Sequence, residues 1–157
     1  VVELMSHEAE DQHIRIVTKI EPDLPDVMID RKNLKQALLN IVKNAIAAMP
    51  DGGVLTISVS VKNDELQIAV SDTGIGIPEE LMAKIFEPYF TTKESGTGLG
   101  LTITFKIVKE HNGEITVEST PSKGSTFTIH LPLPQPEQKS LPPWEDGVKV
   151  EGSHMEE

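Results

Sequence analysis

The amino-acid sequence predicts an α+β protein, a two-layer sandwich in which helices pack on one face of a mixed, mostly antiparallel β-sheet. Helical and strand-like segments do not alternate in strict β-α-β order, which argues against a parallel sheet covered on both sides. Two pairs of alternating apolar segments are each separated by a short polar turn, as in β-hairpins. We therefore expect four or five strands and three or four helices around one core.

The composition excludes several classes of protein. The chain has 157 residues, 14 Lys and Arg against 25 Asp and Glu, and a formal charge of −11, which disfavours binding to nucleic acid or to an anionic membrane. It has no Cys, so disulfides and Cys-ligated zinc are excluded. No apolar run reaches the ~18 residues of a membrane span, and no signal peptide is visible. We expect a cytoplasmic domain without direct membrane contact, whether or not its parent protein is membrane-anchored.

The chain divides into three parts. Residues 1–11 are amphipathic, and we expect them to be the end of a helix that enters from upstream. Residues 12–133 hold the periodic segments and are expected to form the domain. Residues 134–157 are a proline-rich tail without a helix or strand pattern. Within the tail, residues 152–155 (GSHM) look like residual cloning-vector sequence and carry no functional weight.

The first half of the domain is predicted to hold a strand, a long helix and a hairpin. Apolar and polar residues alternate over residues 14–20, which is typical of a half-buried strand. Asp30 is a suitable N-cap for a helix over residues 31–49, which a Pro-Asp-Gly-Gly run ends. Two alternating strands follow at residues 55–61 and 66–70, joined by an Asn-Asp turn.

The second half is predicted to add two helices and another hairpin. Pro78 is expected at the first position of a short helix. A second helix is predicted over residues 99–111, because two Ile lie one helical turn apart and an Asn-Gly pair stops the segment. Its Thr-Ile-Thr run favours a strand on propensity alone. The last strands are expected at residues 114–119 and 126–131.

Two asparagines on the long helix are the first candidate for chemistry. Asn40 and Asn44 are four residues apart, so they lie on one face of the helix. Asn is a poor residue for a helix interior, and amide oxygens are suitable Mg²⁺ ligands. Taken alone, the pair is better explained by one amide bonded to the backbone and one in solvent.

Two glycine-rich segments are the other candidates. Asp72 begins the loop DTGIGIP (72–78), where a carboxylate can accept a hydrogen bond from an exocyclic amine and glycines let the backbone approach a flat ring. The segment GTGLGL (96–101) opens a helix whose free N–H groups can hold phosphates. Each segment alone is also consistent with an ordinary turn or hinge. Neither matches the dinucleotide-binding or P-loop pattern.

Five motifs, in order and covering about residues 14–132, resemble the catalytic, ATP-binding domain of bacterial histidine kinases. That superfamily also includes gyrase, MutL and the heat-shock ATP chaperone. QALLNIVKNAIAAMP resembles its N box, SDTGIGIP its first glycine box, IFEPYFTTK its F box, GTGLGL its second glycine box and GSTFTIHLP its last strand. The N box and the short lid are most similar to the nitrogen-regulation or sporulation-kinase branch. The resemblance implies the Bergerat ATP-binding fold, with ATP and Mg²⁺ as cofactors.

The resemblance implies a role for each matching residue. Asn44 would coordinate Mg²⁺, with Asn40 one turn before it. Asp72 would bind the adenine amino group, and Thr126 would join it there through water. The ATP-binding residues implied in this way are Asn40, Asn44, Asp72, Gly74, Gly76, Ile77, Phe90, Thr91, Thr92, Lys93, Gly98, Leu99, Gly100, Leu101 and Thr126.

The resemblance also implies which residues belong to the nucleotide lid and which bind the phosphates. Phe86 and Phe90 would pack under the nucleotide lid, and the amides of residues 98–100 would hold phosphates. Lys93 is a candidate phosphate contact, and solvent exposure in the lid is its other interpretation.

The residue at position 40 separates kinases from hydrolases. Relatives that hydrolyse ATP or phosphorylate serine carry a glutamate there as general base, whereas the Asn40 amide cannot take up a proton. An acceptor imidazole is itself nucleophilic and needs such a base less. The resemblance therefore implies a protein-histidine kinase, which donates the γ-phosphoryl group to a histidine on a dimerisation hairpin. The alternative is a nucleotide-gated protein-interaction module without phosphotransfer.

The phosphoacceptor histidine is not expected within this chain. The family's acceptor box has the form H-E-[apolar]-[polar]-N-P, whereas the SHEAED segment around His7 lacks the Asn-Pro pair and lies too close to the N box. His13, His111 and His130 have no metal-ligand partner at a fixed spacing. The hairpin, the sensor and the downstream response regulator are therefore expected in other segments or chains.

Overall fold

The computed structural model describes residues 1–85 and 100–133. Within these ranges the chain forms three α-helices, one short 3₁₀ helix and five β-strands, as the sequence predicts for an α+β protein. The helices are α1 (Val2–Asp11), α2 (Arg31–Ala47) and α3 (Gly100–Glu110), with the 3₁₀ helix at Glu79–Leu81. The strands are β1 (Ile14–Ile20), β2 (Gly53–Lys62), β3 (Glu65–Asp72), β4 (Glu114–Thr120) and β5 (Gly124–Pro132).

The five strands form one mixed sheet in the order β1-β2-β3-β5-β4. Strands β1 and β2 are parallel, and the other three pairings are antiparallel. The turn between β2 and β3 consists of Asn63 and Asp64, both with positive φ (53° and 61°), which gives the two-residue hairpin that the sequence predicts. The arrangement confirms the mixed, mostly antiparallel sheet.

One face of the sheet is buried under the helices. Alternate residues of β3 and β5 point into the core, and α2 supplies apolar side chains from the other layer, as expected for a two-layer sandwich. The largest fully buried side chains include Ile41, Met49, Leu55, Ile129, Val42, Val70 and Val108. The opposite face carries mostly polar residues, so we call it the open face.

Local sequence signals account for most element boundaries. Asp30 caps α2 as predicted, because its side chain accepts a hydrogen bond from the N–H of Asn33 at 3.1 Å. The α2 helix ends at Ala47, two residues before the predicted end. Pro78 precedes a single 3₁₀ turn and is not its first residue, since its ψ of 144° is extended.

The start of α3 is described from Gly100 onward, so the predicted first helical residue, Leu99, lies outside the described residues. The helix itself is confirmed against the strand propensity of its Thr-Ile-Thr run. Thr104 in that run is fully buried, and its hydroxyl donates to the Gly100 carbonyl at 2.9 Å. Tertiary packing between α2 and α3 has overridden local propensity.

Helices α2 and α3 run antiparallel, and both ends of α3 are hydrogen-bonded to α2 or its N-cap residue. At one end, the Nε2 atom of His111 accepts a hydrogen bond from the Asp30 N–H at 2.8 Å. At the other end, the Nδ2 atom of Asn40 donates to the Gly100 carbonyl at 3.2 Å. Within the described residues, no helix combines the length and apolar character needed to cross a membrane.

Gly124 forms the tightest backbone contact between β5 and the end of β3. Its φ is +123°, and a Cβ atom there would lie 2.0 Å from the carbonyl oxygen of Asp72. A side chain would therefore both strain the backbone and push β5 away from Asp72.

We expect Gly124→Ala to lower the free energy of unfolding by at least about 1–3 kcal/mol. Urea unfolding followed by circular dichroism measures the change. Gly100→Ala is the matched control, because a Cβ at Gly100 has no neighbour within 4 Å among residues 1–85 and 100–133. It should shift stability by less than about 0.5 kcal/mol. If both variants were as stable as the wild type, the close approach of Gly124 to the Asp72 carbonyl oxygen would be refuted.

Candidate functional site

Asp72 lies at the end of β3 with its side chain on the buried face of the sheet, where it is only 6% exposed. Its Oδ1 atom accepts hydrogen bonds from the N–H groups of Gly74 (2.9 Å) and Ser125 (3.3 Å). Burial raises the pKa of the Asp72 carboxyl above its ordinary value, and the two N–H groups act in the opposite direction. Within the described part of the chain, no hydrogen bond reaches Oδ2. That oxygen is therefore an acceptor that a bound ligand can use.

The loop after Asp72 packs on the end of α2. The N–H of Ile75 donates to the carbonyl of Ala48 at 2.9 Å. A Cβ atom on Gly74 would lie 2.2 Å from the same carbonyl oxygen, so only glycine allows this approach. The loop thus brings Asp72 next to the last turn of α2.

The same loop is held from the other side by the hairpin between β4 and β5. The Ile77 N–H donates to Ser119 Oγ at 2.7 Å, and the Ser122 N–H donates to the Ile75 carbonyl at 2.7 Å. Gly76 has a φ of +74° and approaches the Thr120 carbonyl so closely that a Cβ would lie 2.3 Å from it. Gly74, Gly76 and Ile77, which the sequence assigned to a base-binding loop, are therefore fixed by α2 on one side and by the hairpin on the other.

Thr126 does not lie where the motif comparison placed it. It pairs with Ser71 across β3 and β5, and the two hydroxyl groups are 2.8 Å apart on the open face of the sheet. Asp72 is the next residue after Ser71, so its side chain points to the opposite face. The expectation that Thr126 joins Asp72 is therefore corrected, and the neighbour of Asp72 is Ser125.

Ser125 is the residue that the motif comparison missed. It is 5% exposed, and its N–H is bonded to the Asp72 carboxylate. A shallow depression at this end of the sheet is lined by Asp72 and Ser125, and also by Ser71 and Thr126. Because all four residues line the depression, its outline does not show whether Ser125 or Thr126 is the neighbour of Asp72. The hydrogen bond from the Ser125 N–H to Asp72 shows that it is Ser125.

Asn40 and Asn44 lie in one row along α2, and Ala48 continues that row. Asn40 is bonded to the carbonyl of Gly100, the first residue of α3, and Ala48 is bonded to the loop after Asp72. Asn44 lies one turn from each and is half-buried. The row therefore places Asn44 between the glycine-rich loop and the N-terminal end of α3.

The Asn40 amide is already engaged within the protein. Its Oδ1 atom accepts from the side chain of Gln36 at 2.9 Å, while its Nδ2 atom donates to Gly100. The orientation of the amide follows from these two contacts. Asn40 therefore connects α2 to α3, and Leu101 reinforces the connection by packing against the core.

The residues at this site fit a nucleotide better than they fit a self-sufficient metal site. No cluster of three or more His, Asp or Glu that could hold a metal is present among residues 1–85 and 100–133. An Mg²⁺ ion at Asn44 would thus need most of its ligands from phosphates and water, as Mg²⁺ commonly has. The sequence-assigned residues Phe90, Thr91, Thr92, Lys93, Gly98 and Leu99, together with Phe86, lie outside the described residues.

Comparison with known proteins places this site in a family. Residues 29–135 match the family model described as histidine kinase-, DNA gyrase B- and HSP90-like ATPase. The chain is 40% identical over 135 residues to sporulation kinase E of Bacillus subtilis, covering 85% of this chain and 18% of that protein. It is 41% identical over 132 residues to the sensor histidine kinase ZraS of Escherichia coli, covering 84% and 28%.

Solved structures show the same relationship. The catalytic domain of histidine kinase ThkA superposes with a TM-score of 0.76 at 35% identity, covering 84% of this chain and 87% of that one. Full-length ShkA in complex with AMPPNP gives a TM-score of 0.77 at 30% identity, covering 84% and 28%.

The matches cover different shares of the relatives. The chain spans less than a third of the length of sporulation kinase E and of ZraS, but 87% of the isolated ThkA catalytic domain. The buried carboxylate, the glycine-rich loop and the asparagine row all lie within the matched residues. The chain therefore belongs to the histidine kinase-, DNA gyrase B- and HSP90-like ATPase family, as an ATP-binding catalytic domain of the sensor histidine kinase type.

Proposed function

We propose that this domain binds Mg²⁺-ATP, with the adenine amino group on Asp72, and donates the γ-phosphoryl group to a histidine of a dimerisation hairpin outside this chain. The observation that carries the proposal is the buried Asp72 carboxylate, whose Oδ1 is held by two N–H groups while Oδ2 is left as an acceptor. An ionised carboxylate has no proton to donate, so Asp72 selects a base that presents an amine to it over one that presents a carbonyl. Ser125, instead of Thr126, accompanies Asp72 at the base.

In this proposal the glycine-rich loop contacts the base, and Asn44 binds the Mg²⁺ ion at the phosphates. Gly74 and Gly76 keep side chains out of the space beside Asp72, so a flat base can lie against the backbone. From the base, the asparagine row on α2 leads toward Gly100, at the start of α3. Bound Mg²⁺ neutralises charge on the phosphates, and Asn44 is the residue that we assign to hold it.

The transfer step needs no general base on α2. The bond between the γ-phosphorus and the bridging oxygen breaks, ADP leaves, and a new P–N bond forms to the acceptor imidazole, which releases its ring N–H proton to solvent water. Asn40 can neither accept that proton nor activate water, because a carboxamide is not basic at neutral pH. Its bonds to Gln36 and Gly100 hold it in a structural role. This arrangement favours transfer to a nucleophilic imidazole over hydrolysis.

The proposal extends to the cellular setting. We infer that residues 1–11 are the end of the helix leading from the hairpin, and that the phosphoryl group passes on to a response regulator. The domain would act on the cytoplasmic side, where ATP is available.

Phosphotransfer is tested with [γ-³²P]ATP and the histidine-bearing hairpin of a relative such as sporulation kinase E, whose own catalytic domain is the positive control. The proposal predicts acid-labile, base-stable label on the hairpin with wild-type protein, and much less label with Asp72→Asn at an ATP concentration near the wild-type dissociation constant. Nucleotide binding without label, while the positive control labels the hairpin, would support the interaction module instead.

We expect Asp72→Asn to weaken ATP binding about 10- to 100-fold, because the amine loses a charged acceptor. The same change should not destabilise the nucleotide-free protein at neutral pH, since it removes the cost of burying an ionised group. Calorimetric titration and thermal unfolding measure the two effects. Asp51→Asn, at an exposed turn residue, is the control, and an Asp72→Asn protein with wild-type affinity would refute the assignment.

The raised pKa of Asp72 predicts the direction of two pH effects. Because the pKa of Asp72 in the folded protein is above 3.8, the folded protein binds more protons at this carboxyl than the unfolded chain does. The contribution of Asp72 to the free energy of unfolding therefore falls as the pH rises from 3.8 through the folded-state pKa. ATP affinity should change the opposite way and weaken as pH falls through the folded pKa, because the protonated carboxyl is a poorer acceptor. Titration of wild type and Asp72→Asn from pH 8 down to the lowest pH at which both proteins stay folded tests this, and identical pH profiles over that whole range would contradict it.

We expect Asn44→Ala to abolish the Mg²⁺ dependence of ATP binding while leaving the fold intact. Its readout is the ratio of dissociation constants with Mg²⁺ and with EDTA. Lys43→Ala is the matched control, because Lys43 is the exposed neighbour on the same helix. If Asn44→Ala kept the wild-type ratio, the metal assignment would be wrong.

A further inference from the structure

The hydroxyl group of Ser119 on β4 contacts three groups that surround the proposed adenine position. Its Oγ atom lies 2.7 Å from the N–H nitrogen of Ile77, 3.2 Å from the carbonyl oxygen of Gly124 and 2.8 Å from the Oγ atom of Ser125. Ile77 belongs to the glycine-rich loop, and Ser125 is bonded to Asp72. Ser119 thus connects the two segments that border the base.

Only one arrangement of protons satisfies all three contacts of Ser119 at once. A hydroxyl group has one proton to donate and two lone pairs to accept with. The Ile77 N–H can only donate, so it uses one lone pair of Ser119. The Gly124 carbonyl can only accept, so it takes the Ser119 proton. The third contact is then satisfied only if the Ser125 hydroxyl donates its proton to Ser119.

A Ser125 hydroxyl that donates to Ser119 has no proton left for a ligand. Its oxygen can then only accept toward the ligand, as the Asp72 carboxylate does. Asp72 and Ser125 line the same depression. Two acceptors there favour a base that presents an amine and disfavour one that presents a carbonyl. Adenine carries an amine at position 6, whereas hypoxanthine and guanine carry a carbonyl there.

We propose that Ser119 is a positioning residue for base selectivity: by accepting the Ser125 proton, it keeps Ser125 an acceptor and so helps the site to choose adenine. The inference rests on the proposed function, since it concerns the same base-binding site. In this assignment Ser119 acts on the base through Ser125. A hydroxyl at position 119 is required, whereas the identity of the residue carrying it is not.

The test compares ATP with inosine triphosphate, which replaces the position-6 amine by a carbonyl. Dissociation constants are measured by calorimetry for wild type, Ser119→Ala and Ser119→Thr. In Ser119→Ala the Ser125 proton becomes free to donate to the carbonyl. The preference for ATP over inosine triphosphate should therefore fall about three- to tenfold, while Ser119→Thr should keep the wild-type preference.

A double-mutant cycle with Ser125→Ala separates this mechanism from simple loss of structure. Once the Ser125 hydroxyl is absent, adding Ser119→Ala should not change the nucleotide preference further. Equal weakening of both nucleotides by Ser119→Ala, or no change in either, would overturn the inference and leave the proposed function standing. Wild-type protein that binds neither nucleotide would instead overturn the proposed function, and the inference with it.

Discussion

The site depends on one buried carboxylate. Asp72 is almost fully withdrawn from water, and burial alone disfavours its ionised form. The N–H groups of Gly74 and Ser125 oppose that cost, but they come from two different segments. The glycine-rich loop and the β4–β5 hairpin must therefore both be in place before the carboxylate is held.

Close backbone contacts provide that placement. The loop lies between the end of α2 and the hairpin, and at Gly74, Gly76 and Gly124 a side chain would collide with a carbonyl oxygen. Hydrogen bonds from Ile75 to Ala48 and from Ile77 to Ser119 fix the same loop in both directions. The end of the site around Asp72 is thus built from packed backbone, which limits the reorganisation that ligand binding would require.

The sequence predicts those parts of the structure that local chemistry determines. The Asp30 cap of α2, the Asn63-Asp64 turn and the alternation of β3 follow from neighbouring residues alone. The order of motifs was enough to assign the family. That inference did not require knowing which residues face each other across the sheet.

Other parts depend on register and long-range contacts. Ser125 and Thr126 are adjacent in one motif, but successive strand residues face opposite sides, and only the pairing of Thr126 with Ser71 decides which one meets Asp72. The bond between Asn40 and Gly100 joins residues 60 apart in the chain. The three contacts of Ser119 likewise depend on tertiary structure, so no local pattern indicated them.

Thermal unfolding with added nucleotides tests the central claim, that a buried acceptor site for adenine exists in this domain. ADP, an ATP analogue that cannot be hydrolysed, and GTP are each compared with Mg²⁺ and with EDTA. A ligand at a hundred times its dissociation constant adds ~2.7 kcal/mol, which raises the melting temperature of a domain of this size by roughly 5–10 °C. The account predicts such a shift with the adenine nucleotides and little with GTP. Equal shifts with adenine and guanine nucleotides, or no shift in folded protein, would contradict it.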